Sequence, residues 1–433
     1  MQLRYAFRLY PTGAQRAALA RAFGCARVVF NDGLRAREDA RAAGAPVPSA
    51  AELSRRLTEA KRTPERAWLR EVSAVVLQQA LRDLDAAYRA FFAGLAAGGP
   101  RFGAPRLRRR RDSRQSIRFT NNAGWAITDG GRLRLPKVGD LKMKWSRRLP
   151  SAPSSVTVVQ DAAGRCFASF VAEVEPGRSE RTDSAVGVDL GLHHFAVLSD
   201  GTAISAPRFL RRAEKRLRRA QRALARKQPG SRNREKARGR VAREHVRVAD
   251  RRRDFHHQVS TALIRENQTV AVEDLAVGAL ARTWLAKSVH DAGWSAFVRM
   301  PEYKARKFGR TLVRIDRFAP TSQVCSACGV RDGRKPLRVR AWTCPACGVH
   351  HDRDVNAARN IATAAGPAVS ACGAPTRRAF GPDGAVKQEP AEAVARPRQG
   401  TRRGSTTPGG GQYKYEGKSP TARGAGRGPR VKP

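Results

Sequence analysis

Apolar and polar residues alternate through QLRYAFRLY, and Pro11-Thr12 then breaks the alternation. This predicts a strand followed by a helix with Thr12 as its N-cap and Leu19, Phe23, Cys25 and Val29 on its apolar side. A second, longer helix is predicted from about Glu65 to Leu95, because Val72, Val76, Ala80, Leu84, Tyr88 and Phe91 recur every three to four residues. Past Gly98-Gly99-Pro100 the period changes. SIRFT, WAIT, RLRLP, LKMKW, SSVTVVQ and CFASFVAEVE read as short strands, some separated by the turns Asp129-Gly130-Gly131 and Asp161-Ala162-Ala163-Gly164. A small antiparallel barrel or sandwich follows from that run, closed by a linker at 177–184.

From 185 to 365 the pattern is α/β. VGVDL, HFAVLS and TAIS read as strands, and two strongly basic helices occupy 208–228 and 232–266. A strand at 268–272, a helical region near 288–308, a strand at 311–315 and a short helix from Val355 complete it. Beyond Gly366 the chain is rich in Gly, Pro and basic residues, the composition of a disordered tail. No apolar run reaches the roughly 18 residues of a membrane span, and the first residues lack the apolar stretch of a signal peptide.

Charge narrows the partners. The 433 residues carry 84 Lys+Arg against 37 Asp+Glu, a formal net charge of +47. Such a chain repels itself unless a polyanion is present, and Arg, which dominates the excess, pairs bidentately with phosphate. A content of 41% hydrophobic residues still suffices for true cores, so wholesale disorder is excluded.

Seven cysteines divide into two CxxC pairs and three single residues, Cys25, Cys166 and Cys372, which is not the framework of a secreted protein. A reducing cytoplasm is the expected location, on the nucleoid when DNA is bound. Cys325-Ser-Ala-Cys328-Gly and Cys344-Pro-Ala-Cys347-Gly stand 15 residues apart, the spacing of a zinc ribbon. Four thiolates leave no open position, so one structural Zn²⁺ is expected, with His350 and His351 read as surface or nucleic-acid contacts. Three acids stand where metal-dependent nuclease chemistry needs them. Asp189 ends one strand, Glu273 ends another, and Asp354 sits where a helix begins. Clustered carboxylates supply the hard oxygen donors that two Mg²⁺ ions require, the arrangement of ribonuclease-H-like nucleases. Asp274 is expected to point away from Glu273, and spacing alone leaves Asp352 and Asp354 as equal alternatives.

The phrases FRLYPTGAQ, FGCARVVFN, LPKVG, GVDLG, VEDL, DAGW, YKA, TSQVCSACG, CPACG and DRDVNAARNI occur in order along residues 1–365. In them the chain resembles the TnpB (OrfB) proteins of bacterial insertion sequences, relatives of the type V CRISPR effector nucleases. The resemblance implies a multidomain α/β fold. A wedge-like β-barrel would take 1–15 and 101–180, with a helical recognition region at 16–100 inserted. A RuvC-type, ribonuclease-H-like nuclease domain would take 183–365, with a zinc ribbon inserted at 321–350 and a disordered tail at 366–433. It also implies Asp189, Glu273 and Asp354 as the catalytic, Mg²⁺-binding acids, which decides between Asp352 and Asp354, and Cys325, Cys328, Cys344 and Cys347 as zinc ligands. The implied activity is DNA cleavage beside a short adjacent motif. The implied partners are a guide RNA from the transposon end and a target double-stranded DNA.

The positive charge then acquires expected roles. Arg212, Lys215, Arg216, Arg219 and Arg222 on the first basic helix, and Arg108, Arg109, Arg110 and Arg111 in the loop before the strands, are candidate phosphate contacts. Trp68, Trp125, Trp145 and Trp294 are read as core. Two competing functions are a regulator of transposition with an idle nuclease and an end-joining transposase. The intact acids argue against the first, and the lack of a His-hydrophobe-His motif with a clearly placed tyrosine argues against the second.

Overall fold

Strand β1 (Gln2–Tyr10) buries Phe7 and Leu9 on one side, as its alternation requires. It was obtained, like all that follows, in a computed structural model that describes residues 1–98, 103–110, 112, 114–177, 179–336 and 338–366. The expected tail, with Cys372, and Arg111 therefore lie outside the described residues. Thr12 caps α1 (Gly13–Ala42) through a capping box with Gln15. Then come α2 (Ala50–Ala60), a 3₁₀ segment (Pro64–Glu71) and α3 (Ala74–Ala96).

Two helical expectations need correction here. The longer helix is α1, with 30 residues against 23 in α3. The second helix begins at Ala74, not near 65, because Pro64 starts a separate 3₁₀ segment and Val72 is extended. Helix α2 was not anticipated, although Ser49, which accepts from the Glu52 amide, and Glu52 itself carry the Ser-x-x-Glu signal of a helix start.

The strands β2 (Arg114–Thr120), β3 (Ala126–Ile127), β4 (Leu133–Leu135), β5 (Gly139–Lys144), β6 (Ser155–Asp161) and β7 (Cys166–Glu173) join β1 in one antiparallel sheet. A short 3₁₀ turn (Asn121–Ala123) follows β2. The order is β2-β6-β7-β1-β5-β4-β3, so the sheet is open, with β2 and β3 at its edges, rather than a closed barrel. In β7, Cys166, Ala168, Phe170 and Ala172 alternate inward. The first three share a core with Phe23, Phe30, Leu77 and Leu84 of α1 and α3, so sheet and helices are stabilised by the same burial. Trp125 packs against that core, but Trp68 and Trp145 are each about one-third exposed, contrary to expectation. Trp145 lies over Phe7 and Phe170 as a cover.

The segment after β7 is not a free linker. Gly177 N donates to Lys307 O at 2.8 Å, and Ser184 Oγ donates to Glu266 O at 2.8 Å. The second sheet contains β8 (Ala185–Asp189), β9 (His194–Leu198), β10 (Ala203–Ser205), β11 (Thr269–Glu273) and β12 (Thr311–Ile315), in the order β10-β9-β8-β11-β12. The β10-β9-β8 pairs are antiparallel, whereas β8, β11 and β12 run parallel.

Between β10 and β11 stand the basic helices α4 (Phe209–Ala225) and α5 (Arg232–Glu266). Between β11 and β12 stand α6 (Val277–Leu280), α7 (Ala286–Ala292) and α8 (Trp294–Phe308), where Trp294 is fully core. Buried Lys304 of α8 donates from Nζ to His257 O, Ser260 Oγ and Thr261 Oγ1, pinning α8 to α5, and burial lowers its pKa to about 8. The cysteine-rich segment forms β13 (Ala341–Thr343) and β14 (His350–Asp352), followed by α9 (Arg353–Ala365). Among the described residues no helix is long and apolar enough to cross a membrane.

Candidate active site and metal centre

Parallel pairing of β8 with β11 sets Val188 against Val272. The next residue on each strand is an acid, Asp189 and Glu273, so register alone brings two carboxylates to one sheet edge. Helix α9 supplies the third, and its approach depends on Gly187. A Cβ there would lie 2.0 Å from Ala358 O and 2.6 Å from Ala362 N, both on the α9 backbone. Only glycine lets α9 lie this close, which brings its first turn, with Asp354, alongside the end of β8. Gly187→Ala is therefore expected to destabilise the protein by about 3 kcal/mol or more, the upper range of overpacking, read as a lowered unfolding midpoint.

The neighbouring acids are occupied elsewhere. Asp352 Oδ1 accepts from the Asp354 and Val355 amides as the N-cap of α9, so one of its two oxygens is already engaged. Asp274 pairs with Arg317 at 2.6 Å. Asp354 is met by Arg340, whose Nη1 stands 3.3 Å from both carboxylate oxygens. Burial, and then the charges of Asp354 and Glu273, push Asp189 up to about 7. Burial, and then Asp274, raise Glu273. The site thus holds more negative charge than its surroundings neutralise, which is what a divalent cation would relieve.

A pH dependence follows. Between its ordinary value of 3.8 and about 7, Asp189 keeps a proton in the folded state that the unfolded chain has released. Stability in Mg²⁺-free buffer is expected to be greatest below about 4 for this group and to fall by a few kcal/mol as pH rises to about 7. Added Mg²⁺ should offset the fall. Unfolding midpoints of the zinc-loaded protein across this window check the result, and Asp189→Asn should lack this component.

The four cysteines converge. Their Sγ atoms all lie within 4.8 Å of one another, with Cys325–Cys347 and Cys328–Cys344 both at 3.7 Å. A tetrahedron with Zn–S bonds near 2.3 Å has edges of about 3.8 Å, so the donor set fits zinc. Gly329 and Gly348, after each second cysteine, have φ of 79° and 70°, the left-handed turn a knuckle needs. The Cys347 and Ala346 amides pull the Cys344 thiol down to about 7.

His351 corrects the sequence reading. It is 3% exposed, packs on Trp342 and places Nε2 3.0 Å from Cys325 Sγ, so it supports a ligand and is not a surface contact. Its neighbour His350 is exposed and bonded to Thr343.

Two residues that sequence reasoning missed tie this knuckle to the acid site. Asn356 Oδ1 accepts from Ser326 N and its Nδ2 donates to Val324 O, both at 2.8 Å. Asn360 Nδ2 donates to Thr321 O and Val324 O at 2.7 Å. Both are buried on α9, two and six residues after Asp354. Polar residues four apart on an otherwise apolar helix face were the available signal. Asp291 was missed as well. Its carboxylate accepts from the Leu210 and Arg211 amides and so caps α4 from α7.

The basic candidates divide. Arg212, Lys215, Arg219 and Arg222 are exposed on α4 and form no ion pair among the described residues, whereas Arg216 pairs with Glu244 at 3.5 Å. On α5, Arg247, Arg252 and Arg253 are likewise paired, with Glu244, Asp291 and Asp250. Arg108 stacks 3.7 Å from the Phe30 ring centroid and pairs with Asp83, so it pins its loop, while Arg109 and Arg110 are exposed.

Comparison with known proteins adds an independent line. Residues 169–283 match the family described as "Probable transposase", residues 294–361 the "Cas12f1-like, TNB domain", and residues 1–45 a "Helix-turn-helix domain". A Streptomyces pristinaespiralis protein named "Putative RNA-guided DNA endonuclease" is 46% identical over 400 residues, covering 90% of this chain and 97% of its own. An Escherichia coli K12 protein with the same name and the suffix InsQ is 32% identical over 407 residues, covering 90% and 98%. The structure of a Cas12f1–sgRNA–target DNA complex matches with a TM-score of 0.50 at 14% identity, over 79% of this chain and 82% of that one, a likeness of fold.

Proposed function

Since the chain belongs to the OrfB (TnpB) family of insertion-sequence proteins, we propose that it is an RNA-guided, Mg²⁺-dependent DNA endonuclease encoded by a transposable element. The observation that carries this reading is the registered pair Asp189 and Glu273, with Asp354 brought in by a helix that packs on Gly187. The strand order, with antiparallel β10-β9-β8 joined to parallel β8-β11-β12, supports a RuvC-type, ribonuclease-H-like domain.

Asp189, Glu273 and Asp354 would hold the ions. Mg²⁺ bound there supplies Lewis acidity toward the phosphodiester and eases deprotonation of the attacking water. The protein's own part is positional. β8 and β11 fix two carboxylates in register, α9 fixes the third, and Arg340 holds Asp354 when no cation does. The cysteine cluster, loaded with zinc, would brace α9. The unpaired face of α4 gives a guide–target duplex cationic contacts to its backbone without reading its sequence.

Purification after co-expression with the DNA that flanks the gene tests the partner. One discrete RNA species from the transposon end is expected to copurify, and a random sample of host RNA would contradict the reading. Affinity for that RNA should fall steeply between about 50 and 200 mM salt. Replacing Arg212, Lys215, Arg219 and Arg222 with Gln should reduce the log–log salt slope by roughly 3, and an unchanged slope would remove α4 from the interface.

A further inference from the structure

None of the three acids lines the cavity of about 400 Å³ where the β8–β9 turn, the entry to α4, and helices α5 and α7 meet. That volume lies within the range of small-ligand sites. Four rings wall it: Phe195 on β9, Phe209 at the start of α4, and Phe255 and His256 on α5. Phe255 stands edge-on to Phe195 and to Phe209, with centroids 5.0 and 6.1 Å apart, and the His256 ring stacks on Phe195 at 5.5 Å. In neutral surroundings such an aromatic box would suit a cation. Here Arg208, Arg211 and Arg252 line the same space, against the single carboxylate of Asp291. That carboxylate is already engaged by the Leu210 and Arg211 amides, so the cavity favours an anion with a flat, apolar body.

Two features of these arginines have no account in the fold itself. Arg208 is the N-cap of α4 with φ of 48°, one of two non-glycine residues with positive φ among the described residues, and its side chain makes no capping bond. A left-handed backbone is strained for a long side chain, and such strain gathers at ligand sites. Arg252 donates from Nη2 to Asp291 Oδ1 at 3.4 Å, but its buried Nε has no hydrogen-bond partner among the described residues. A buried donor left alone is costly, and an acceptor brought by a ligand would relieve it. Arg211 Nη2 donates to Ser288 Oγ at 2.8 Å, which steadies that guanidinium at the wall. A ring with acceptor atoms along its edge and a phosphate attached uses all of these groups at once. An aliphatic carboxylate would use the arginines and leave the ring faces idle.

We infer that this cavity binds one nucleotide, with its base against Phe209 and Phe255, an acceptor on the base edge at Arg252, and its phosphate on Arg208 and Arg211. A free nucleoside monophosphate and a single nucleotide turned out of a bound RNA present this same chemistry, and the test separates them. Since Arg208 and Phe209 open α4, the occupant joins the start of that basic helix to α5 and α7. The inference holds whether or not the chain cuts DNA.

The test is a calorimetric titration of AMP into the full, zinc-loaded chain freed of RNA, and one saturable site is expected. So basic a chain holds phosphate in many places, so dependence on the ring decides the matter. Phe209→Ala is expected to weaken AMP binding about tenfold, and Phe209→Trp should retain it. Arg208→Gly removes a cation yet suits the left-handed backbone, so this variant should unfold no earlier than the parent while binding AMP about tenfold more weakly. If the ligand is a free nucleotide, RNA-loaded protein still takes up AMP and Phe209→Ala leaves RNA affinity unchanged. If it is a nucleotide of the RNA, loading blocks AMP and Phe209→Ala weakens RNA binding. Absence of a saturable AMP site, AMP affinity unchanged by Phe209→Ala, or octanoate bound as tightly as AMP would overturn the inference.

Discussion

Asp189→Ala is expected to lower cleavage at least about a thousandfold while leaving RNA affinity within about twofold. Several kcal/mol of charge stabilisation depend on the ions this residue would hold, and each 1.4 kcal/mol is a factor of ten. Asp189 is also the acid most affected by the other two, since its pKa rises to about 7 through burial and then through Asp354 and Glu273. Removing it relieves repulsion, so the variant should be at least as stable as the parent at neutral pH. That separates a chemical role from a structural one. A variant that is less stable and binds RNA poorly would point to a misfolded site. A stable variant that still cuts would refute the assignment.

Removing the zinc ligands should have the second-largest effect, and it should reach beyond the knuckle. Structural zinc contributes on the order of 10 kcal/mol to the folding of small domains. Here the knuckle is bonded through Ser326, Val324 and Thr321 to Asn356 and Asn360 on α9, the helix that carries Asp354. Cys325→Ser is expected to drop zinc content from one ion per chain toward zero and to cut cleavage at least about a hundredfold. The sheet built on β1 and β7 has its own core and should keep its far-ultraviolet signal. A zinc-free parent protein, or a Cys325→Ser protein that folds and cuts normally, would contradict this.

What the sequence made legible follows from how locally each feature is encoded. The alternation in CFASFVAEVE and the period in VVLQQALRDL depend on near neighbours, and both segments adopt the predicted element, although the helix starts later than expected. The cysteine spacing is equally local, and the four thiols converge. Features set by distant partners were not readable. His351 looks like a surface residue until Trp342 and Cys325 close around it. Arg216 and Arg219 are indistinguishable in sequence, yet Glu244, on the following helix, takes only the first. The acids occupy an intermediate position. Their strand ends were local information, but spacing left Asp352 and Asp354 open, the family resemblance favoured Asp354, and the capping role of Asp352 appeared only in the fold. Arg340 and Gly187 gained a role only once α9 was seen against β8.

The central claim is that a bound RNA chooses the DNA this chain cuts, and one measurement addresses it directly. Protein is assembled with its copurifying RNA and with a version whose guide segment has been rewritten. Each complex is then offered two plasmids, one matching each guide, with Mg²⁺ present. The account predicts that each complex cuts its matched plasmid alone and that rewriting the guide moves the cut. Cleavage that ignores the guide, or no cleavage by either complex while both bind RNA and zinc, would contradict it.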